Sequence, residues 1–255
     1  MLSNIKLFVL DLDGILCIGN NIIPNAVELV SYLRKNYKVV FFSNTSGKTS
    51  FQVCEKLNRL GINCIKEEVF TASSSTALYL KENNIDNVFV IGSNDFKDEI
   101  KSQGISIIQN ALADNLVVGL DTKFNYRKID IALSILLKGG KFIVCNEDRY
   151  YPIENYKYLP GCGAMVGSIS SIANRKPDFI VGKPNIYVLE KISEMYKITN
   201  KEMVVVGDSY ESDIQMALNY NCKSIFINED GYKSKDIISL KNLSEMLFFL
   251  KNNKE

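Results

Sequence analysis

The chain has 255 residues, 46% of them hydrophobic, and its 30 basic and 29 acidic side chains leave a net charge of +1. That is enough apolar material for a sizeable core, and the balanced charge offers no basic field to a nucleic acid or an anionic membrane. Histidine is absent, which removes Ser-His-Asp triads, Cys-His dyads, H-E-x-x-H sites and phosphohistidine, so chemistry must come from carboxylates, lysine, hydroxyls, thiols or a bound metal.

The first apolar run, Leu7 to Leu10, leads into Asp11. It reads as a buried strand over 8–10 rather than a signal peptide, and no apolar run is long enough to span a bilayer. A helix over 25–35 follows Pro24, then a strand over 39–42 and helices over 49–60 and 73–82. Further strands are expected over 88–91, 116–119, 142–145, 203–206 and 224–227, and a last helix over 240–250. Short, almost wholly apolar strands alternating with amphipathic segments predict an α/β fold with a parallel sheet covered by helices on both faces. Pro152 and Pro160 bound a polar loop carrying Tyr156 and Tyr158, with Tyr150 and Tyr151 just before it. These rings suit stacking on an aromatic substrate, although loop tyrosines are more commonly just exposed. Pro184 is expected in the first turn of a helix beginning near Asn185. The six cysteines include no C-x-x-C pair, which argues against a zinc site or a disulfide framework and for a reducing cytoplasm.

Four short motifs fall where these elements change. Asp11 and Asp13, in Leu10-Asp11-Leu12-Asp13-Gly14, are two apart at a strand end, so both carboxylates can face the crevice where open α/β sheets bind ligands. Ser43 and Asn44 end the second strand with a hydroxyl and an amide; ordinary loop polarity, with Thr49 capping the next helix, explains them equally well. Lys183, in Gly182-Lys183-Pro184, is a cation beside a helix start. Gly207-Asp208 ends the Met203–Val206 run, and Asp213 follows five residues on, near a helix start where the helix dipole alone would favour an acid.

The order D-x-D-G, S-N, G-K-P, G-D-x-x-x-x-D, spread over nearly the whole chain, resembles the haloacid dehalogenase-like (HAD) superfamily. The long α/β stretch between Ser43 and Lys183 resembles the inserted cap of subclass IIA, the NagD-like and 4-nitrophenylphosphatase-like group. So do the segments around Val117–Asp121, Asn146-Glu147-Asp148 and Pro160-Gly161-Cys162-Gly163-Ala164. The resemblance implies a Rossmann-like doubly wound core over 1–82 and 179–255 and an α/β cap over 83–178. This sequence departs from common family patterns at Ile15, Ser43, Thr45 and Cys162, and none of these removes a catalytic carboxylate.

The resemblance also implies roles. Asp11 would be the nucleophile of a phosphatase and Asp13 its general acid and base. Mg²⁺ would be held by Asp11, the Asp13 carbonyl and Asp208, with Asp213 orienting Lys183 or a metal-bound water. Ser43, Asn44 and Lys183 would bind the phosphoryl oxygens. Asp121, Asn146, Asp148, Gly161, Cys162 and Gly163 would face substrate choice from the cap, with Cys162 read as a buried neutral thiol. The expected partner is a small phosphorylated metabolite, with no nucleic acid and no membrane, and dimerisation through the cap is part of the same resemblance. Two other readings compete: a phosphotransferase using the same aspartyl-phosphate, and a non-catalytic phosphate-ligand-binding protein.

Overall fold

A computed structural model describes residues 4–153, 157–231 and 237–252. They form two compact units, one of Met1–Ser43, Val53–Phe70 and Lys183–Glu255, the other of Asn44–Gln52 and Thr71–Gly182.

The first unit is built on a six-stranded sheet in the spatial order Ile238–Leu240, Lys223–Ile227, Met203–Gly207, Leu7–Leu10, Lys38–Ser43, Val69–Thr71. The Leu7 strand is central. It pairs in parallel with Met203–Gly207 on one side (Leu7 opposite Met203) and with Lys38–Ser43 on the other (Leu7 opposite Lys38). Every residue of Leu7–Leu10 is buried, which is why the run is continuously apolar instead of alternating: helices cover both faces. The helix Ala26–Arg34 buries Ala26, Leu29, Val30 and Leu33, spaced as one helical stripe. With Phe8, Leu10, Phe41, Val204 and Val206 they form the main core of this unit. A parallel sheet sends all its carboxyl ends to one edge, so Leu10, Ser43 and Gly207 deliver their following residues to one side of the unit.

The second unit has a five-stranded parallel sheet in the order Phe179–Ile180, Phe142–Val144, Leu116–Val118, Asn87–Ile91, Ser106–Ile107. Its core joins Phe89, Ile91, Leu116, Val118, Phe142 and Val144 to the helices Tyr126–Leu137 and Cys162–Ala173. The limits of the units differ from those expected for core and cap. The helix Ala72–Glu82 clusters with the second unit, where it packs on Asn94–Ser102. Phe179–Ile180 is an edge strand of the second sheet, and the Phe179 ring stacks on Tyr79 at 4.1 Å.

Three other elements depart from expectation. The tyrosine-rich stretch is an antiparallel hairpin, Tyr150–Ile153 with Lys157–Pro160, in which Tyr150 meets Tyr158 edge to face at 5.0 Å; Tyr156 lies outside the described residues. The last helix is Leu243–Asn252, because Leu240 pairs in the sheet opposite Ile227. The Lys183–Pro184 peptide bond is cis, and the next helix starts later than expected, at Tyr187. Among the described residues no helix is long and apolar enough to cross a membrane.

Candidate active site

Six of the side chains singled out from the sequence meet at the carboxyl edge of the first sheet: Asp11, Asp13, Ser43, Lys183, Asp208 and Asp213. Asp11 follows the central strand directly, and its N–H still donates to the Val206 carbonyl at 2.9 Å, so its backbone is fixed by the sheet. Lys183 Nζ donates to Asp11 Oδ1 at 2.5 Å and to Asp213 Oδ1 at 2.6 Å. All three groups are buried, Asp213 to within 1% of full enclosure. The aromatic face of Phe42 lies 5.1 Å from the same ammonium, a further favourable contact for a desolvated cation.

Asp213 does not open an α-helix. It sits in a π-helical turn, Tyr210–Ile214, that precedes the short helix Gln215–Asn219. Its Oδ2 accepts from the Ser209 N–H at 3.2 Å, so one oxygen is tied to its own turn and the other to Lys183. This second bond is more than a favourable place in a helix dipole explains. Two glycines make the crowding possible. A Cβ on Gly207 would lie 2.2 Å from Asp213 Cγ, and one on Gly14 would lie 2.0 Å from Asp208 Oδ2. Gly14 also has φ +95°, a region that side-chain-bearing residues avoid.

Asp11, Asp208 and Asp213 each place a carboxylate oxygen within 4.8 Å of the others. Asp208 keeps a solvent-facing edge, yet the crevice around it, and then the nearby Asp213, push its carboxyl up to about 6. Burial also drives the Asp11 carboxyl well above the usual range, with Lys183 pulling the other way and Asp213 and Asp208 adding to the rise. Lys183 pays the same desolvation cost, but Asp11 and Asp213 outweigh it and hold the ammonium firmly protonated. Three carboxyl groups thus lie together with a single ammonium, which bonds two of them, and this excess of acids over cations helps to raise Asp11 and Asp208. An all-oxygen donor set with this excess fits a hard divalent cation.

The Asp13 side chain is half exposed and lies next to Ser43 and Lys56. Ser43 Oγ donates to Asp13 Oδ2 at 3.4 Å, and Lys56 Nζ lies 3.8 Å from Oδ1. The sequence reading missed Lys56 and Phe42: a lone lysine on an amphipathic helix and a phenylalanine in a strand look like surface and core.

The remaining expected site residues belong to the second unit. Asn44 Nδ2 donates to Asp148 Oδ1 at 3.0 Å, and Asn146 Nδ2 donates to the Asn44 carbonyl at 2.6 Å. The Asp148 N–H closes the set on Asn146 Oδ1 at 3.1 Å. Asp121 is buried, receives Lys128 Nζ at 2.6 Å and accepts from the Lys123 N–H at 2.8 Å. Gly161 and Gly163 press against the Asp148 and Glu147 carbonyls. Cys162 opens a helix, fully enclosed, and burial pushes its thiol up to about 12.

The haloacid dehalogenase-like hydrolase family matches residues 8–106, and a second HAD-hydrolase-like family matches residues 180–245. An acid sugar phosphatase of Staphylococcus epidermidis is 32% identical over 93% of this chain and 92% of its own length. Among solved structures, the 4-nitrophenylphosphatase of Thermotoga maritima superposes with a TM-score of 0.88 at 29% identity, covering 96% of this chain and 97% of that one. The p-nitrophenyl phosphatase of Archaeoglobus fulgidus gives 0.85 at 26%, covering 96% and 98%. On these matches and this arrangement of elements, the chain belongs to the haloacid dehalogenase-like hydrolases, in subclass IIA, the NagD-like and 4-nitrophenylphosphatase-like group.

Proposed function

We infer that this protein is a Mg²⁺-dependent phosphatase that hydrolyses a small phosphorylated metabolite through an aspartyl-phosphate on Asp11. The observation that carries the reading is the buried set of Asp11, Asp213 and Lys183 beside Asp208, three acids with one cation among them.

Asp11 is held at the end of a rigid strand with one oxygen on Lys183, which leaves the other to attack phosphorus. As the Asp11 O–P bond forms, the ester P–O bond breaks, its electron pair goes to the leaving oxygen, and Asp13 gives that oxygen a proton. Asp13, now a carboxylate, takes a proton from the water that attacks phosphorus; the Asp11 O–P bond breaks, free phosphate leaves, and both aspartates return to their starting forms. Lys183 and Ser43, with Asn44 next in the chain, stabilise charge on the equatorial oxygens. Asp213 keeps Lys183 charged and aimed. Asp11, the Asp13 carbonyl and Asp208 are the groups that would hold Mg²⁺, which when bound would offset charge between Asp11 and the phosphoryl oxygens.

The second unit is read as the cap, with substrate choice assigned to its loops, which Asp121, Asn146, Asp148, Gly161 and Gly163 shape. The acid sugar phosphatase relative favours a sugar phosphate as substrate, and six free thiols suit a reducing cytoplasm. The test is phosphate release from a panel of sugar phosphates and 4-nitrophenyl phosphate, with Mg²⁺ and with EDTA. Turnover that needs the metal is expected; no turnover on any ester would overturn the reading. Light scattering on the same preparation tests the dimer that the cap implies: twice the chain mass is expected, and a monomer would refute it.

A further inference from the structure

The helix Ser50–Arg59 carries three charged side chains, Glu55, Lys56 and Arg59. Glu55 and Arg59 are exposed, as charges on an amphipathic helix normally are. Lys56 is not: its side chain keeps only 13% of its accessible surface. The helix is anchored beside it by Val53, Cys54 and Leu57, all buried in the core of the first unit, so the root of Lys56 is fixed. Desolvating an ammonium is unfavourable unless something of opposite charge offsets it. The carboxylate found there is Asp13, with Oδ1 3.8 Å from Nζ. The Cys17 thiol lies close enough to feel the same charge. Cys17 is buried and reaches this place because the chain after Asp13 folds back, the Gly14 N–H donating to the Cys17 carbonyl at 3.0 Å and Asp13 bridging Cys17.

Asp13 needs such a neighbour. Its side chain is 46% exposed, and a carboxylate turns freely about its last torsion unless it is held. Ser43 Oγ touches Oδ2 from the end of one strand, and Lys56 faces Oδ1 from the helix. The two groups bracket the carboxyl from different elements. Neither contact is short, so the acid can still swing the small distance to a substrate oxygen.

We propose that Lys56 is a positioning residue that holds the Asp13 carboxyl in line with the leaving-group oxygen, and so sets how well the enzyme cleaves esters whose leaving group must be protonated. The proposal rests on the phosphatase reading above. It makes a claim that reading does not: a dependence on leaving group. 4-Nitrophenolate leaves without a proton, whereas a sugar alkoxide cannot.

The experiment measures kcat/KM, which reports events up to aspartyl-phosphate formation, for 4-nitrophenyl phosphate and for a hexose phosphate, in wild type, Lys56→Met, Lys56→Gln and Lys56→Arg. Loss of the tether is expected to lower the hexose phosphate value about 10–100-fold more than the 4-nitrophenyl phosphate value. The KM values should stay within about twofold, and Lys56→Arg should restore most of the loss. Melting curves show which variants are folded, and the glutamine variant replaces the methionine variant should that one fail. Equal losses on both esters, a rise in KM alone, or no change would each overturn the proposal. Absence of wild-type turnover on both esters would overturn the phosphatase reading and this inference with it, whereas turnover with an unchanged Lys56→Gln would overturn this inference only.

Discussion

Both units are parallel sheets with polar residues on the loops that leave them, yet the two sets of polar residues are balanced very differently. In the second unit the charges and amides answer one another: Asp121 is neutralised by Lys128, and Asn44, Asn146 and Asp148 close a set of hydrogen bonds among themselves. In the first unit three carboxylates crowd around one ammonium. A polar group that already has its partners inside the fold rigidifies a loop, whereas an unbalanced cluster is stable only if something from solution completes it. The comparison separates polar residues that answer one another within the fold from a cluster whose acids outnumber its cations, by counting charged groups within a few ångströms rather than by position on a loop.

The comparison can be tested at several strengths. Asp11→Asn keeps the shape and removes the nucleophile, and should lower kcat by about 10⁴-fold or more in a steady-state assay. Lys183→Met should lower kcat by about 10²–10³-fold. It should also lower the melting temperature, because loss of one partner of a buried ion pair costs about 3–5 kcal/mol. A Lys183→Met protein as stable as wild type would mean that the three carboxylates do not depend on that charge. Asp121→Ala should behave in the opposite way. It leaves Lys128 with the Lys123 carbonyl, costs about 1–3 kcal/mol in a melting experiment, and leaves the ranking of substrates unchanged. A changed ranking at unchanged stability would make Asp121 a substrate contact.

Cys162 sharpens the same contrast through its titration. Burial holds its thiol near 12, so at pH 7.5 almost none is thiolate. Alkylation of Cys162 in the native protein should be slower than that of an unfolded-chain cysteine by about 10²-fold or more, and should become fast only on unfolding. Rapid native labelling at position 162, read by peptide mass, would refute this. The smallest effect belongs to the Arg34–Glu68 pair, joined by two bonds of 2.8 and 2.6 Å. Burial raises the Glu68 carboxyl, but the Arg34 guanidinium and the Ile65 N–H more than reverse this and hold it below its ordinary value. A lowered folded-state value means stability that is present above the unfolded value of about 4.3 and lost as pH falls through the folded one. Glu68→Gln should therefore cost about 0.5–1 kcal/mol at pH 7 and almost nothing at pH 2, as melting curves at the two pH values would show.

How far the sequence carries the reader depends on what each residue is paired with. The strands around residues 7–10, 38–43 and 203–207 are legible because burial on both faces makes them almost continuously apolar, and the polar residues that follow them, Asp11, Asn44 and Asp208, mark their ends. The helix Asn94–Ser102 is not legible: its buried residues are only Phe96 and Ile100 in a charged run, and its start is fixed by the Ser93 hydroxyl accepting from the Phe96 N–H. The hairpin at 150–160 hides because its strands are largely exposed and contain prolines. Leu240 fits the apolar stripe of a helix and is claimed by a sheet edge instead. Within the site, Asp11, Asp13, Lys183 and Asp208 stand out through motif order. Lys56 does not, because its distinction is burial next to Asp13, which only the folded chain creates.

The most direct measurement of the central claim is to quench a reaction with substrate and Mg²⁺ in the first turnover, reduce with borohydride and map the peptides by mass. An acyl phosphate on Asp11 would be reduced to homoserine at position 11, and the account predicts that product in wild type and none in Asp11→Asn. Turnover with no homoserine at position 11, or with the mark on another aspartate, would contradict it.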